Sequence, residues 1–444
     1  MLVSDEKIFA SLNNIIFETK ELPFGLSAYN KEEKVSDFVN RHDEILKFKD
    51  QIHLIWERKV SRAIRLEGPA GVGKSTLFNF VKEEIEKERS DTTKKIQFLS
   101  SDTDILSSYM ESPGKINSFA DIWKLMLQGL EAGFDEELNS EVSLPEYIIL
   151  RLVFRMLQFY PNELKSVIWR NESPPEDLRF VNFKQIINPL LTGGNKLVED
   201  LKKFYDANKR NLREQLKITI DNVSFEIKKD DTDQILKLFH VLDEDDSGHY
   251  LQKIKNVDQS LFKNPNDLIL YFNDLIRYYA CAVQKRPVLL IGIDEVAKIY
   301  GNETQYYFEN LGKLFVKLRN SLNYVLFVFI STDEDWAKYD LEIKNSFALE
   351  GQINEFLFKM PLRQLDVAEM IDVFKKRMET FWSKNPTERN ALYAYYPFSE
   401  KLFDYVYRYN RRDLRRSIKF LDKLWSYFRT KKEVPRLNTS FNAM

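Results

Sequence analysis

Cysteine is nearly absent from this sequence. A single thiol, Cys281, has no partner within the chain, which excludes an internal disulfide framework and a cysteine-rich metal site. Histidine is scarce too: His42, His53, His240 and His249 stand at no metal-ligand spacing with that thiol. Glycine and proline number 14 each in 444 residues, too few for a collagen-like or low-complexity chain. Long hydrophobic runs are missing. The longest, "PVLLIGI" and "YVLFVFI", fall far short of the ~20 residues a membrane-spanning helix needs. The opening "MLVSDEKIFASLNN" lacks the basic stretch and apolar core of a secretory signal. A dominant charge sign is lacking as well, because the net charge is −2. These absences lead us to expect a soluble, cytoplasmic chain with no membrane partner.

Aromatic and apolar residues, by contrast, are plentiful. With 33 Phe, 21 Tyr and 43% hydrophobic residues, the chain can bury a large core, and its length suits two or three packed units. The stretch "IRLEGPAGVGKSTLFNF" organises it. Gly68, Pro69, Ala70, Gly71, Val72, Gly73, Lys74 and Ser75 fit G-x-x-x-x-G-K-[ST], with Thr76 following. An apolar strand precedes them, and Leu77, Val81 and Ile85 follow at helical spacing. Such a strand–loop–helix turns successive backbone N–H groups toward phosphate oxygens at a helix N-terminus. Lys74 is then expected to reach the β- and γ-phosphates of ATP, and Ser75 to ligate Mg²⁺.

A second carboxylate is needed to hold the metal, and "RPVLLIGIDEVAKIY" supplies it. Its unbroken apolar run reads as a central parallel strand covered on both faces. Asp294 at the strand's end is expected to reach Mg²⁺ through water, and Glu295 to act as general base on the attacking water. A third apolar strand, "NYVLFVFI", ends in "STDED", where Thr332, ahead of Ser331, is the candidate polar group between the first two motifs. Near the C-terminus "YRYNRRDLRRSIKFLDKLW" reads as one amphipathic helix capped by Asn410, with Leu414, Ile418, Leu421, Trp425 and Phe428 facing a core. Arg411 and Arg412 at its start are placed to reach back toward nucleotide phosphates.

With these four elements in order, the chain resembles the AAA+ ATPases, especially the origin-recognition-like and STAND-like branches of P-loop NTPases. "FVNRHDEI" is similar to the box that lies along the adenine there, and the resemblance assigns Val39 and Arg41 to nucleotide binding, although Asn40 replaces the usual glycine. "YNRRDLRRSI" is similar to the lid box, whose arginine falls on Arg412, and "PLRQLDVAEM" resembles the passage from strand to lid. The match covers roughly residues 36–103 and 265–430. Two departures stand out. The stretch "IKNSFALEGQINEFLFKM" has no arginine where origin-recognition-like members carry one, leaving Lys344 or Arg319 as substitutes, and "TKKEVPRLNTSFNAM" after the lid helix is not expected to form the family's winged helix.

The expected fold is therefore α/β: a five-stranded parallel P-loop NTPase core with a large helical insertion and a C-terminal helical lid. The strands are expected at residues 63–66, 96–99, 288–293, 324–330 and 355–360. An N-terminal segment (1–35) precedes the core (36–109 and 263–360), the insertion spans 110–262 and the lid 361–435. Within the insertion, "DEDDSGHYLQKI" matches half of a calcium loop, but Ile254 stands where a bidentate glutamate is needed, so an acidic turn is expected instead. From Arg408 to Arg436 eleven basic residues face three acids, a net of +8, interleaved with Tyr409, Trp425, Tyr427 and Phe428. That pattern marks nucleic acid as a second candidate partner through the lid. The resemblance implies an ATP-hydrolysing switch that assembles with a protein effector, as in bacterial antiviral defence, in a homo-oligomer or hetero-complex. The alternative is a DNA-bound regulatory ATPase of transposition or replication type.

Overall fold

The computed structural model of the protein describes residues 10, 12–19, 22–24, 41–90, 97–100, 102–111, 144–170, 173–175, 181–242, 265–296, 322–344, 347–384 and 395–434. The expectations for Val39, Arg319 and residues 243–254 lie outside these, and the side chain of Lys344 is likewise outside them.

The chain enters through α1 (His42–Arg58), β1 (Arg62–Glu67), α2 (Lys74–Ser90) and β2 (Thr103–Glu111). There follow α3 (Leu144–Phe159), α4 (Pro161–Ile168), α5 (Lys184–Leu191), α6 (Gly194–Leu216), a hairpin of β3 (Ile218–Ile220) and β4 (Val223–Phe225), and α7 (Thr232–Leu238). The core resumes with α8 (Pro265–Val283), β5 (Arg286–Asp294), β6 (Val325–Ile330), α9 (Asp333–Lys344), α10 (Phe347–Phe356) and β7 (Leu357–Pro361). Last come α11 (Val367–Lys384), α12 (Glu400–Tyr409) and α13 (Leu414–Lys431).

Five strands form one parallel sheet in the order β2-β5-β6-β1-β7. The unbroken apolar runs become its centre: every residue of β6, and all of β5 before Asp294, is buried. On α2 the three periodic residues Leu77, Val81 and Ile85 are fully buried, as their spacing demands.

One strand is displaced from its expected place. Residues 97–100 are not strand. Phe98 is buried, and the backbone N–H groups of Phe98 and Leu99 donate to the Glu88 carboxylate at 2.6 and 3.0 Å. The second strand is Thr103–Glu111, which pairs with β5 from Thr103 opposite Arg286 to Glu111 opposite Asp294. It carries the polar run "SSYME", a weak strand signal in sequence, although Ser107 and Ser108 are buried. The other four strands match expectation to within about two residues at each end.

The insertion is not helical throughout, and it is not separate from the sheet. Its β3–β4 hairpin turns at Asp221 and Asn222, both at positive φ (44° and 63°), as a two-residue loop of the mirror-image kind requires. Described insertion residues share one continuous core with the sheet. Tyr147 of α3 stacks on Tyr279 of α8 at 5.8 Å, and the Tyr278 hydroxyl donates to Gln234 at 2.9 Å. Arg277 is clasped by Asp231 and Asp274. Cys281 lies in this wall, and burial pushes its thiol up to about 12. A thiol held that far from ionisation is an inert core residue at neutral pH.

A second core unites α11, α12 and α13 with Leu12, Ile16 and Phe24 from the start of the chain. The Phe24 N–H donates to Asp422 at 3.2 Å, and the Tyr396 hydroxyl donates to Asn13 at 2.6 Å. The N-terminal segment is thus part of the C-terminal helical unit. The helix expected to start at Arg411 behind an Asn410 N-cap starts instead at Leu414, and α12 ends just before it. Asn410 is the C-cap of α12, and the N-cap of α13 is Asp413, whose carboxylate accepts from the Arg416 N–H at 2.9 Å. Between the helices, Arg411 and Arg412 both take positive φ (57° and 60°), a break that apolar spacing alone does not reveal.

Candidate functional site

The carboxyl ends of β1, β6 and β5 lie side by side, with the glycine loop, Thr332 and the pair Asp294–Glu295 following them. After β1 the chain turns through Gly68, Gly71 and Gly73 at φ of 152°, 76° and 95°, backbone that side-chain-bearing residues rarely adopt. Two of these glycines also meet close neighbours. A Cβ on Gly68 would stand 2.5 Å from the Leu362 carbonyl oxygen, just beyond β7. One on Gly71 would stand 2.9 Å from Asp413 Oδ1 and 3.2 Å from the Arg415 Cβ. The loop is therefore held between the exit of the last strand and the start of α13. Gly71→Ala is expected to cost about 1–3 kcal/mol through the positive φ alone, read as a lowered chemical denaturation midpoint.

Lys74 opens α2 and turns back over the loop, its Nζ donating to the carbonyls of Gly68 (2.7 Å) and Pro69 (2.9 Å). Burial holds its ammonium below the usual lysine value, while Asp294, Asp333 and Asp335 pull it back up. Asp333 and Asp335 are carboxylates that spacing in the sequence does not bring to Lys74.

Asp294 is the hub. Its Oδ2 accepts from Ser75 and from the Tyr109 hydroxyl, and its Oδ1 accepts from the Glu295 N–H at 2.7 Å. Tyr109 reaches the site because β2 pairs in register with β5, placing it opposite Gly292. A strand expected at 96–99 leaves Tyr109 out; "DILSSYME" does not alternate, and its short apolar pair Ile105–Leu106 is the one available signal. Glu295 is exposed and takes φ of 52°, an uncommon conformation for a residue with a Cβ.

Thr332 has a structural task. Its hydroxyl donates to Asp335 at 2.6 Å while the Asp335 N–H donates back at 3.3 Å, a reciprocal cap that starts α9. Ser331, buried, donates to the same carboxylate at 2.8 Å. Arg41 is buried to 3% exposure and commits its guanidinium to protein: Glu44 at 3.1 Å, the Val72 carbonyl at 3.4 Å and the Arg363 carbonyl at 2.7 Å. It ties the loop to the chain leaving β7. Arg412 is exposed in the turn before Asp413, and the residues that meet Gly71 are Asp413 and Arg415 instead. Ala70 and Pro69 complete the loop, Thr76 lies in the first turn of α2, and all three are at least partly open to solvent.

Among the described residues, no group of three or more His, Cys, Asp or Glu side chains could hold a metal ion by itself. Ser75 and Asp294 do bring two hard oxygen donors to one point. That set suits Mg²⁺, which keeps several waters and shares its remaining positions with phosphate oxygens. No family model matches the chain, and no curated protein matches it.

Proposed function

We propose that the chain binds ATP with Mg²⁺ in the loop of residues 68–75 and hydrolyses it as a conformational switch. The observation that carries this reading is the meeting of Ser75 and Asp294 beside three positive-φ glycines at the parallel sheet's carboxyl edge. Ligands of open α/β sheets bind at that edge. Lys74 would turn from its own loop carbonyls to the β- and γ-phosphates. Ser75 and Asp294 would hold Mg²⁺, with Tyr109 fixing the rotamer of the Asp294 carboxylate. When bound, Mg²⁺ supplies charge neutralisation on the transferring phosphoryl group. Glu295 would take the proton of the attacking water.

The switch reading rests on the contact between Gly71 and Asp413. Whatever fills the loop acts directly on the start of α13, so the helical lid would report the nucleotide's state to a protein effector. The alternative, a DNA-bound regulatory ATPase, is favoured by the basic outer face of α13. Turnover stimulated by duplex DNA and abolished by added salt would select it.

Calorimetric titration with MgATP tests the binding claim. Lys74→Ala should bind about 100-fold more weakly or worse, since charge-assisted hydrogen bonds to two phosphates are removed. Unchanged affinity would sink the assignment. The same residue sets a pH dependence. Its folded pKa lies below the usual 10.5, so between the two values the unfolded chain binds more protons and stability rises with pH. Burying the ammonium is thus a cost at neutral pH, and Lys74→Met should keep or raise the denaturation midpoint while losing ATP. Wild-type affinity should decline as pH climbs through the lowered pKa.

A further inference from the structure

The net charge of +8 over Arg408 to Arg436 is not spread evenly around its helices. Of the aromatics interleaved with it, Trp425 and Phe428 are buried in the C-terminal core. Three others, Tyr409, Phe420 and Tyr427, are 66%, 37% and 55% exposed, and Tyr405, just before the range, is 60% exposed. Tyr405 and Tyr409, one turn apart on α12, stack with centroids 6.0 Å apart and planes at 20°. Tyr409 then meets Phe420 of α13 at 6.1 Å, which bridges the two helices.

Basic residues run along the same surface. Arg416, Phe420, Lys423 and Tyr427 follow one another at steps of four, three and four, which puts them on one face of α13. Arg408 and Arg416 are engaged by Asp404 and Asp413 at 2.6 and 3.3 Å. Arg411, Arg412, Arg415, Lys419 and Lys423 form no ion pair among the described residues. Such a surface sets exposed rings within a positive field, the composition of a patch that attracts an anionic partner with apolar faces.

We infer that this face of α12 and α13 binds single-stranded nucleic acid. Repeated cations track a phosphate backbone, and exposed rings stack on unpaired bases. An acidic protein would answer the charge but has no systematic use for a row of exposed rings. Duplex would answer the charge while hiding its base faces. Binding to this surface is measured without nucleotide, so its failure and the failure of the proposed ATP site are distinguishable.

Fluorescence anisotropy of the full chain tests it, using a labelled oligothymidylate of about 16 nucleotides without ATP. Wild type should bind it more tightly than a duplex of equal length. The Tyr409→Ala, Phe420→Ala double variant should bind about 10-fold or more weakly, whereas Tyr409→Phe, which keeps the ring, should bind as wild type does. Lys419→Glu with Lys423→Glu should flatten the plot of log affinity against log salt by about 0.7 for each phosphate that is no longer neutralised. All of these side chains are exposed, and unchanged circular dichroism would establish that the variants fold. Preference for duplex, equal binding of polyglutamate, indifference to removal of the rings or absence of binding would each overturn the proposal.

Discussion

Glu295→Gln should bind MgATP as wild type does while turning it over about 10²–10⁴ times more slowly. Glutamine keeps the size of the side chain and its backbone N–H bond to Asp294, but it cannot accept a proton from water. The position favours the effect. Glu295 follows the buried strand β5 directly, is exposed, and holds φ of 52° beside the carboxylate that contacts Ser75. Local backbone strain of this kind persists only where surrounding structure holds it, and it concentrates at functional sites. Steady-state phosphate release beside calorimetric binding separates the two steps. Turnover unchanged in Glu295→Gln would remove this residue as the base, and loss of binding as well would mean that it holds the site's shape instead.

Trp425→Ala should destabilise the C-terminal unit by about 3–5 kcal/mol, the cost of emptying a buried tryptophan site. Trp425 is fully buried, packed edge-on to Phe381 at 5.0 Å and against Phe398 at 6.0 Å. Its indole Nε1 has no hydrogen-bond partner among the described residues. Trp425→Phe should therefore cost much less, since it removes an unsatisfied buried donor together with part of the ring. Chemical denaturation followed by tyrosine and tryptophan emission measures both. Equal destabilisation by Ala and Phe would show that the indole is irreplaceable and that ring packing does not set the cost. Because Leu12, Ile16 and Phe24 share this core, proteolysis near residue 19 should accelerate in Trp425→Ala.

Much of the architecture is legible because it is encoded locally. The strand, glycine loop and helix of residues 62–90 are contiguous, and each part carries its own signal: apolar alternation, positive-φ glycines, then four-residue apolar spacing. The same holds for β5, whose continuous apolar run can only be a strand covered on both faces. The second strand is misplaced by hydrophobicity, because "DILSSYME" buries polar side chains such as Ser107 and Ser108, whereas "KKIQFLS" carries the stronger apolar signal. The insertion reads as an independent helical unit because helix periodicity says which face is apolar but not what it packs against. Thr332 follows from strand-end position alone, and its capping bond with Asp335 is a feature of the helix that begins there.

Short-range pattern thus specifies a parallel α/β sheet, the loop of residues 68–75 after its first strand and the acidic pair Asp294–Glu295 after a buried one. Each lies within a few neighbouring residues and is set by side-chain period and backbone sterics. Long-range packing brings Tyr109 to Asp294 across 185 residues, rests Asp413 on Gly71, and bonds Phe24 to Asp422 at the far end of the chain. It also sorts the aromatics of α13 into those in the core and those facing water. These outcomes depend on strand register and on how two helices turn at Arg411 and Arg412. Both are chosen by the sum of many distant contacts, so no local stretch of sequence carries them.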